Sequence, residues 1–184
     1  RKYEKVKRQK AARAPKGESI ENRDPEIDER TTFGHWEGDC VCGKKKTKEA
    51  LFVLSERLTR QEIIMKIPDQ TAASVVAALN KLERRFGKKF SQIFKSITFD
   101  NGSEFAKHPE VSSCLEADIY FAHPYSSWER PVNERHNGLL RQYIPKGVSI
   151  EKYTPADVLR FADELNSRSR KRLGYQTPEE LFDA

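Results

Sequence analysis

The chain has 184 residues, 36% hydrophobic and 34% charged, enough apolar material for one domain of ordinary size with a real core. No run of about 18 apolar residues occurs, which excludes a membrane-spanning helix, and the basic start lacks the apolar stretch of a signal peptide. The net charge of +6 points to a polyanionic partner, with DNA or RNA the usual one.

That charge is uneven. Residues 1–20 hold eight basic side chains against Glu4 and Glu18, a surplus equal to the net charge of the whole chain. Residues 1–32 show no sustained apolar period and end in Asp24, Glu26, Asp28 and Glu29. They are expected to form a basic arm or linker, partly disordered, ahead of a single core domain at 33–184. Cys40, Cys42 and Cys114 make neither a disulfide framework nor a zinc site, because a lone Cys-x-Cys has no second pair and no nearby histidine. They read as reduced thiols of a cytoplasmic protein.

Residues 35–42 suit a strand, followed by a polar turn at 43–49, and apolar runs at 50–55 and 61–67 complete an antiparallel meander. Thr71 caps a helix whose Val75, Leu79, Leu82 and Phe86 share one face, and Gly87 ends it. A strand at 94–99 leads into Asp100. Residues 108–117 suit a short helix and Ile119–Phe121 a short strand. Pro131 opens a further helix, Thr154-Pro155 another, and Thr177-Pro178-Glu179-Glu180 a last one with a capping box. The order βββαβαβ followed by helices is mixed α/β, without internal repeats.

Three carboxylates stand out. Asp39 lies inside an apolar strand, where aspartate is depleted and an unpartnered buried carboxylate costs several kcal/mol. Asp100 closes a strand before an abrupt turn, where sites of α/β folds tend to sit, although Asp-Asn-Gly is also hairpin chemistry. Glu134 shares a helical face with Asn137, Gly138 and Arg141. Singly, each has a plainer reading as a solvated or turn residue. Together, three converging carboxylates repel one another unless a cation intervenes, and Mg²⁺ takes carboxylate oxygens readily. Two such ions clamp the attacking and leaving oxygens of a phosphoryl displacement.

The motifs His35-Trp36-Glu37-Gly38-Asp39, Asp100-Asn101-Gly102-Ser103-Glu104-Phe105, Tyr120 to Trp128, and Asn133-Glu134 with Asn137 to Gly147 resemble the insertion-sequence transposases of the IS-thirty family. The likeness runs from about Phe33 to Phe182. The 33 residues between Asp100 and Glu134, and Arg141 seven positions beyond Glu134, match the pattern of DDE enzymes and retroviral integrases.

The resemblance implies a ribonuclease H-like fold with a mixed five-stranded sheet, three strands antiparallel and the rest parallel, flanked by helices. It implies a DNA transposase core performing metal-dependent strand cleavage and strand transfer. Asp39, Asp100 and Glu134 would be catalytic and would hold two Mg²⁺ ions, with Mn²⁺ as substitute. The expected partners are transposon ends and target DNA, in a homo-oligomeric working complex within the bacterial cytoplasm.

Candidate DNA contacts are Asn101, His123, Tyr125, Asn137, Arg141 and Lys146, with Lys44 and Lys45 at a basic hairpin tip and Arg170 and Lys171 in a second basic cluster. Glu104 and Glu129 are the rival carboxylates, and His136 falls on the apolar helix face as a packed residue. Full-length members of that family carry an N-terminal helix-turn-helix, for which residues 1–32 leave no room, as expected of a piece of a longer protein. Pro131-Val132 stands where the family usually has Gly-Thr, and proline stiffens that loop. A hydrolysis-only nuclease of the same fold and a decayed DNA-binding module remain the alternatives.

Overall fold

Leu51, Phe52, Val53 and Leu54 form an unbroken apolar run, the pattern of a strand covered on both faces. A computed structural model describes residues 18–105, 117–124 and 126–184, and in it Ala50–Glu56 is strand β3, buried along its whole length. The other strands are β1 (Glu18–Ser19), β2 (His35–Cys42), β4 (Glu62–Ile67), β5 (Ser96–Phe99) and β6 (Asp118–Phe121). The helices among the described residues are α1 (Pro25–Glu29), α2 (Ala72–Phe86), α3 (Phe90–Ile93), α4 (Pro131–Leu140), α5 (Pro155–Asn166) and α6 (Pro178–Phe182). The helix expected at 108–117 falls, apart from Ala117, outside the described residues, as do residues 1–17, Cys114 and Tyr125.

The strands form one sheet in the order β1-β6-β5-β2-β3-β4. Strands β2, β3 and β4 pair antiparallel, whereas β2 with β5, β5 with β6 and β1 with β6 pair parallel. The meander and the later parallel strands therefore stand as the sequence suggested, but among the described residues the sheet has six strands rather than five. The sixth comes from residues read as arm. Glu18 and Ser19 pair with Tyr120 and Phe121, Ile27 is buried, and the buried Arg23 donates to Thr98 Oγ1 at 3.0 Å while pairing with Asp28.

Alternation in β3 sends its side chains to two cores. Phe52 and Leu54 pack with Trp36, Val75, Leu79, Leu82, Phe94 and Phe99 beneath α2 and α3. Leu51 and Val53 pack with Val41, Ile64, Leu140, Val158, Phe161 and Leu165 beneath α4 and α5. Helix α2 begins and ends where expected, since Thr71 accepts from the Ser74 N–H and Gly87 adopts φ 52°. Helix α5 carries a capping box between Thr154 and Asp157, and α6 one between Thr177 and Glu180.

Candidate active site

The register of β2 against β5 builds the first half of the site. Glu37 pairs with Thr98, so two residues further along each parallel chain Asp39 and Asp100 leave side by side. Gly38 leaves the space that the Phe99 ring fills: a Cβ there would lie 2.3 Å from Phe99 Cε1.

Arg130, at the entry to α4, spans both acids. Its Nη2 donates to Asp100 Oδ2 at 3.2 Å, its Nη1 donates to the Gly38 carbonyl at 2.9 Å, and Nη1 lies 4.0 Å from Asp39 Oδ1. Asp39 Oδ1 also accepts the Cys40 N–H at 2.9 Å, and its Oδ2 accepts Asn137 Nδ2 at 2.7 Å. Asp100 Oδ1 accepts the Gly102 N–H at 2.9 Å. The Asp39 side chain is 22% exposed and that of Asp100 40%, so the pair opens to solvent on the Asp100 side. Burial pushes the Asp39 carboxyl above its usual range, the Arg130 guanidinium pulls it back, and the charge of Asp100 pushes it up again.

Glu134 lies on the exposed side of α4, its N–H bonded to the Arg130 carbonyl at 3.2 Å. Among the described residues no three His, Cys, Asp or Glu side chains stand close enough to share a metal ion. The structure thus brings Asp39 and Asp100 together and leaves Glu134 apart, on a helix that touches Asp39 through Asn137. Asp39 and Asp100 offer the hard oxygens that Mg²⁺ prefers, and the buried Asn137 Oδ1 beside Asp39 has no hydrogen-bond partner. The donor set fits a hard divalent cation.

The rival carboxylates have other work. Glu129 accepts the His123 N–H at 2.7 Å and faces its Nδ1 at 2.8 Å, which fastens these two residues to each other. Glu104 is buried beside Gly102 and Asp100 and accepts from Gln70, whose Oε1 in turn faces the Cys42 thiol at 2.8 Å. Burial, followed by the charges of Glu104 and Asp39, pushes both the Cys40 and Cys42 thiols up, so neither is a ready nucleophile.

The candidate DNA contacts divide. Lys44, Lys45, Lys146 and Lys171 are exposed. Arg141 instead donates to the Cys42 carbonyl at 2.9 Å, tying the end of α4 to the end of β2. Asn101 donates to the Ala122 carbonyl and joins the ends of β5 and β6. Arg170 is half-buried and donates to the Leu165 carbonyl at 2.9 Å, which caps the last turn of α5. His136 is buried against Glu62, the packed position its helix face suggested. Arg130 and Glu37, which shape the site most, were not singled out from sequence. A lone arginine in a loop has no periodic signal, and Glu37 stood only as one member of the His35 to Asp39 motif, with no role of its own.

The chain is similar to insertion-sequence transposases along most of its length. The chain is 39% identical over 165 residues to the transposase for insertion sequence element IS1086 of Cupriavidus metallidurans, covering 89% of this chain and 47% of that protein. It is 40% identical to the transposase for insertion sequence element IS4351 of Bacteroides fragilis, covering 89% and 48%, and 38% identical to transposase InsI for IS30C of Escherichia coli, covering 91% and 42%. It therefore spans about half the length of these relatives. Among solved structures, the catalytic core domain of BIV integrase superposes with a TM-score of 0.59 at 22% identity, covering 82% of this chain and 94% of that one. A chain of the simian T-cell lymphotropic virus intasome in complex with PP2A regulatory subunit B56 gamma gives a TM-score of 0.64 at 17% identity, covering 82% and 54%. These likenesses show the fold, which is ribonuclease H-like. The integrase core domain pattern matches residues 29–127, more than half of the chain and inclusive of Asp39 and Asp100, and the chain belongs to the integrase core domain family.

Proposed function

We propose that this chain is the catalytic core of an insertion-sequence transposase, a polynucleotidyl transferase that cuts DNA at a transposon end and joins the freed 3′-OH to target DNA. One observation carries the reading: Asp39 and Asp100 converge from neighbouring parallel strands, and α4 is fastened to Asp39 by Asn137. In this reading Asp39, Asp100 and Glu134 hold Mg²⁺ or Mn²⁺, with Glu134 supplied from the first turns of α4. Two such ions, when bound, supply activation of the attacking oxygen and stabilisation of the leaving one.

The protein's own residues orient the site and its substrate. Asn137 fixes the Asp39 carboxylate, and the Gly102 N–H fixes that of Asp100. The exposed Lys44 and Lys45 follow β2, and the loop at Gly43 touches the backbone of Val148 and Ile150, close in sequence to the exposed Lys146. These lysines form a basic rim at the end of the sheet that bears the aspartates, suited to phosphate contacts. Recognition of transposon ends belongs to the remainder of a longer protein, which works as a homo-oligomer on DNA in the bacterial cytoplasm.

The test uses a labelled duplex with a free 3′-OH and a supercoiled plasmid, with Mg²⁺ or Mn²⁺. Joined product is the expected result, lost in Asp39→Asn, Asp100→Asn and Glu134→Gln variants. Nicked plasmid without joined product would make the chain a nuclease. Full metal-dependent joining by any of the three variants would remove that residue from the site.

A further inference from the structure

The cation that this structure sets between the two aspartates is a side chain. Arg130 is only 8% exposed, yet its Nε has no hydrogen-bond partner, and it meets Asp100 through a single nitrogen rather than as a two-pronged fork. The guanidinium is therefore held by charge and by the Gly38 carbonyl, with less than its full hydrogen-bonding capacity in use. Arg130 is also joined to Glu134, because its carbonyl accepts the Glu134 N–H in the first turn of α4.

We infer that Arg130 is the resident counter-ion of Asp39 and Asp100, a positioning residue that a divalent metal displaces on binding. This rests on the reading of the two aspartates as metal ligands. Two adjacent carboxylates need a compensating charge, and the guanidinium provides it while holding both side chains at the sheet end. A metal ion entering between them competes for the same oxygens. Arg130 thereby keeps the pair organised without metal and lowers its apparent metal affinity.

The experiment is a Mn²⁺ titration of the whole chain, followed by electron paramagnetic resonance of the free ion, for wild type, Arg130→Gln, Arg130→Lys and Asp39→Asn. Arg130→Gln is expected to bind Mn²⁺ tighter by on the order of five-fold, the scale of one partly exposed ion pair. Its melting temperature without metal should fall. A merely structural role would weaken binding, so equal or weaker binding by a folded Arg130→Gln protein overturns the inference and leaves the metal reading intact. No Mn²⁺ binding by the wild type overturns both.

If Arg130→Gln fails to fold, the wild type decides. The Arg130 Nε–H resonance, assigned by its absence from the Arg130→Lys spectrum, should shift and exchange faster with water as Mg²⁺ is added. A resonance unmoved at saturating Mg²⁺ overturns the inference.

Discussion

Glu37 and Asn133, 96 residues apart, are joined by a buried hydrogen bond: the Glu37 carboxylate Oε2 accepts the Asn133 N–H at 2.8 Å. Glu37 lies two residues before Asp39, and Asn133 immediately precedes Glu134, so this bond links the strand and helix that carry two of the proposed ligands. The first turn of a helix has N–H groups with no partner inside the helix, and a carboxylate suits its positive end. Burial pushes the Glu37 carboxyl up, and Arg57 at 3.2 Å pulls it back.

Glu37→Gln keeps an acceptor for Asn133 but leaves the buried Arg57 without that partner. Loss of one member of a buried pair costs about 3 kcal/mol. The urea midpoint should fall accordingly with an unchanged slope. A midpoint equal to that of the parent chain would show that the pair contributes nothing net.

Gly38→Ala places a methyl group 2.3 Å from the Phe99 ring and 3.2 Å from Leu54 Cδ2. Both side chains are fully buried and have little room to give, so overpacking should destabilise the chain by about 2 kcal/mol. Because Asp39 is the next residue, Mn²⁺ affinity should fall as well. Retention of both stability and affinity would mean that the Phe99 ring does not lie this closely over Gly38 in solution.

Asn137→Ala removes the Nδ2–H that holds Asp39 Oδ2 at 2.7 Å. Outer-shell partners of metal ligands are worth on the order of ten-fold in metal affinity, and that loss is expected by calorimetric Mn²⁺ titration. The direction is opposite to that expected of Arg130→Gln, so the two variants separate support of a ligand from competition with the ion. An affinity unchanged by Asn137→Ala would assign the amide to packing alone.

The His123 imidazole, beside Glu129 and 3.2 Å from Glu21, titrates above its ordinary value of 6.5, chiefly through its hydrogen bond to Glu129. A raised folded value means that the stabilisation is fully present below pH 6.5 and is lost as pH rises through the folded value. An NMR titration should give His123 a midpoint above 6.5, and Glu129→Gln should move it back towards 6.5. A parent midpoint at or below 6.5 would show that Glu129 does not hold the ring.

Much of this was readable in the residues. Thr71 and Gly87 bound α2 through cap chemistry that is local, and the two aspartates stood out because a carboxylate within or at the end of an apolar strand calls for a reason. What escaped were relationships between distant residues. Glu18 and Ser19 form a strand of two residues, too short for any periodicity, and exist as one only against β6. Arg170 sits in a basic cluster that suggested phosphate contact, yet it bonds back to the end of the preceding helix, α5. Charge shows in composition, whereas the partner a charge finds is settled by tertiary packing.

The pairing of β2 with β5 gives the site a fixed jaw. Neighbouring strands lie about 4.8 Å apart, a separation set by backbone hydrogen bonds and largely indifferent to side chains. The gap between the chain segments bearing Asp39 and Asp100 is therefore a backbone ruler that point substitution scarcely alters. The opposing jaw, α4, is held by side chains such as Asn137 and Arg141 and by the Glu37 tether, each of which one codon can change. Evolution of reach, timing and substrate geometry in such a core has its freedom on the helix, while the sheet keeps the measure.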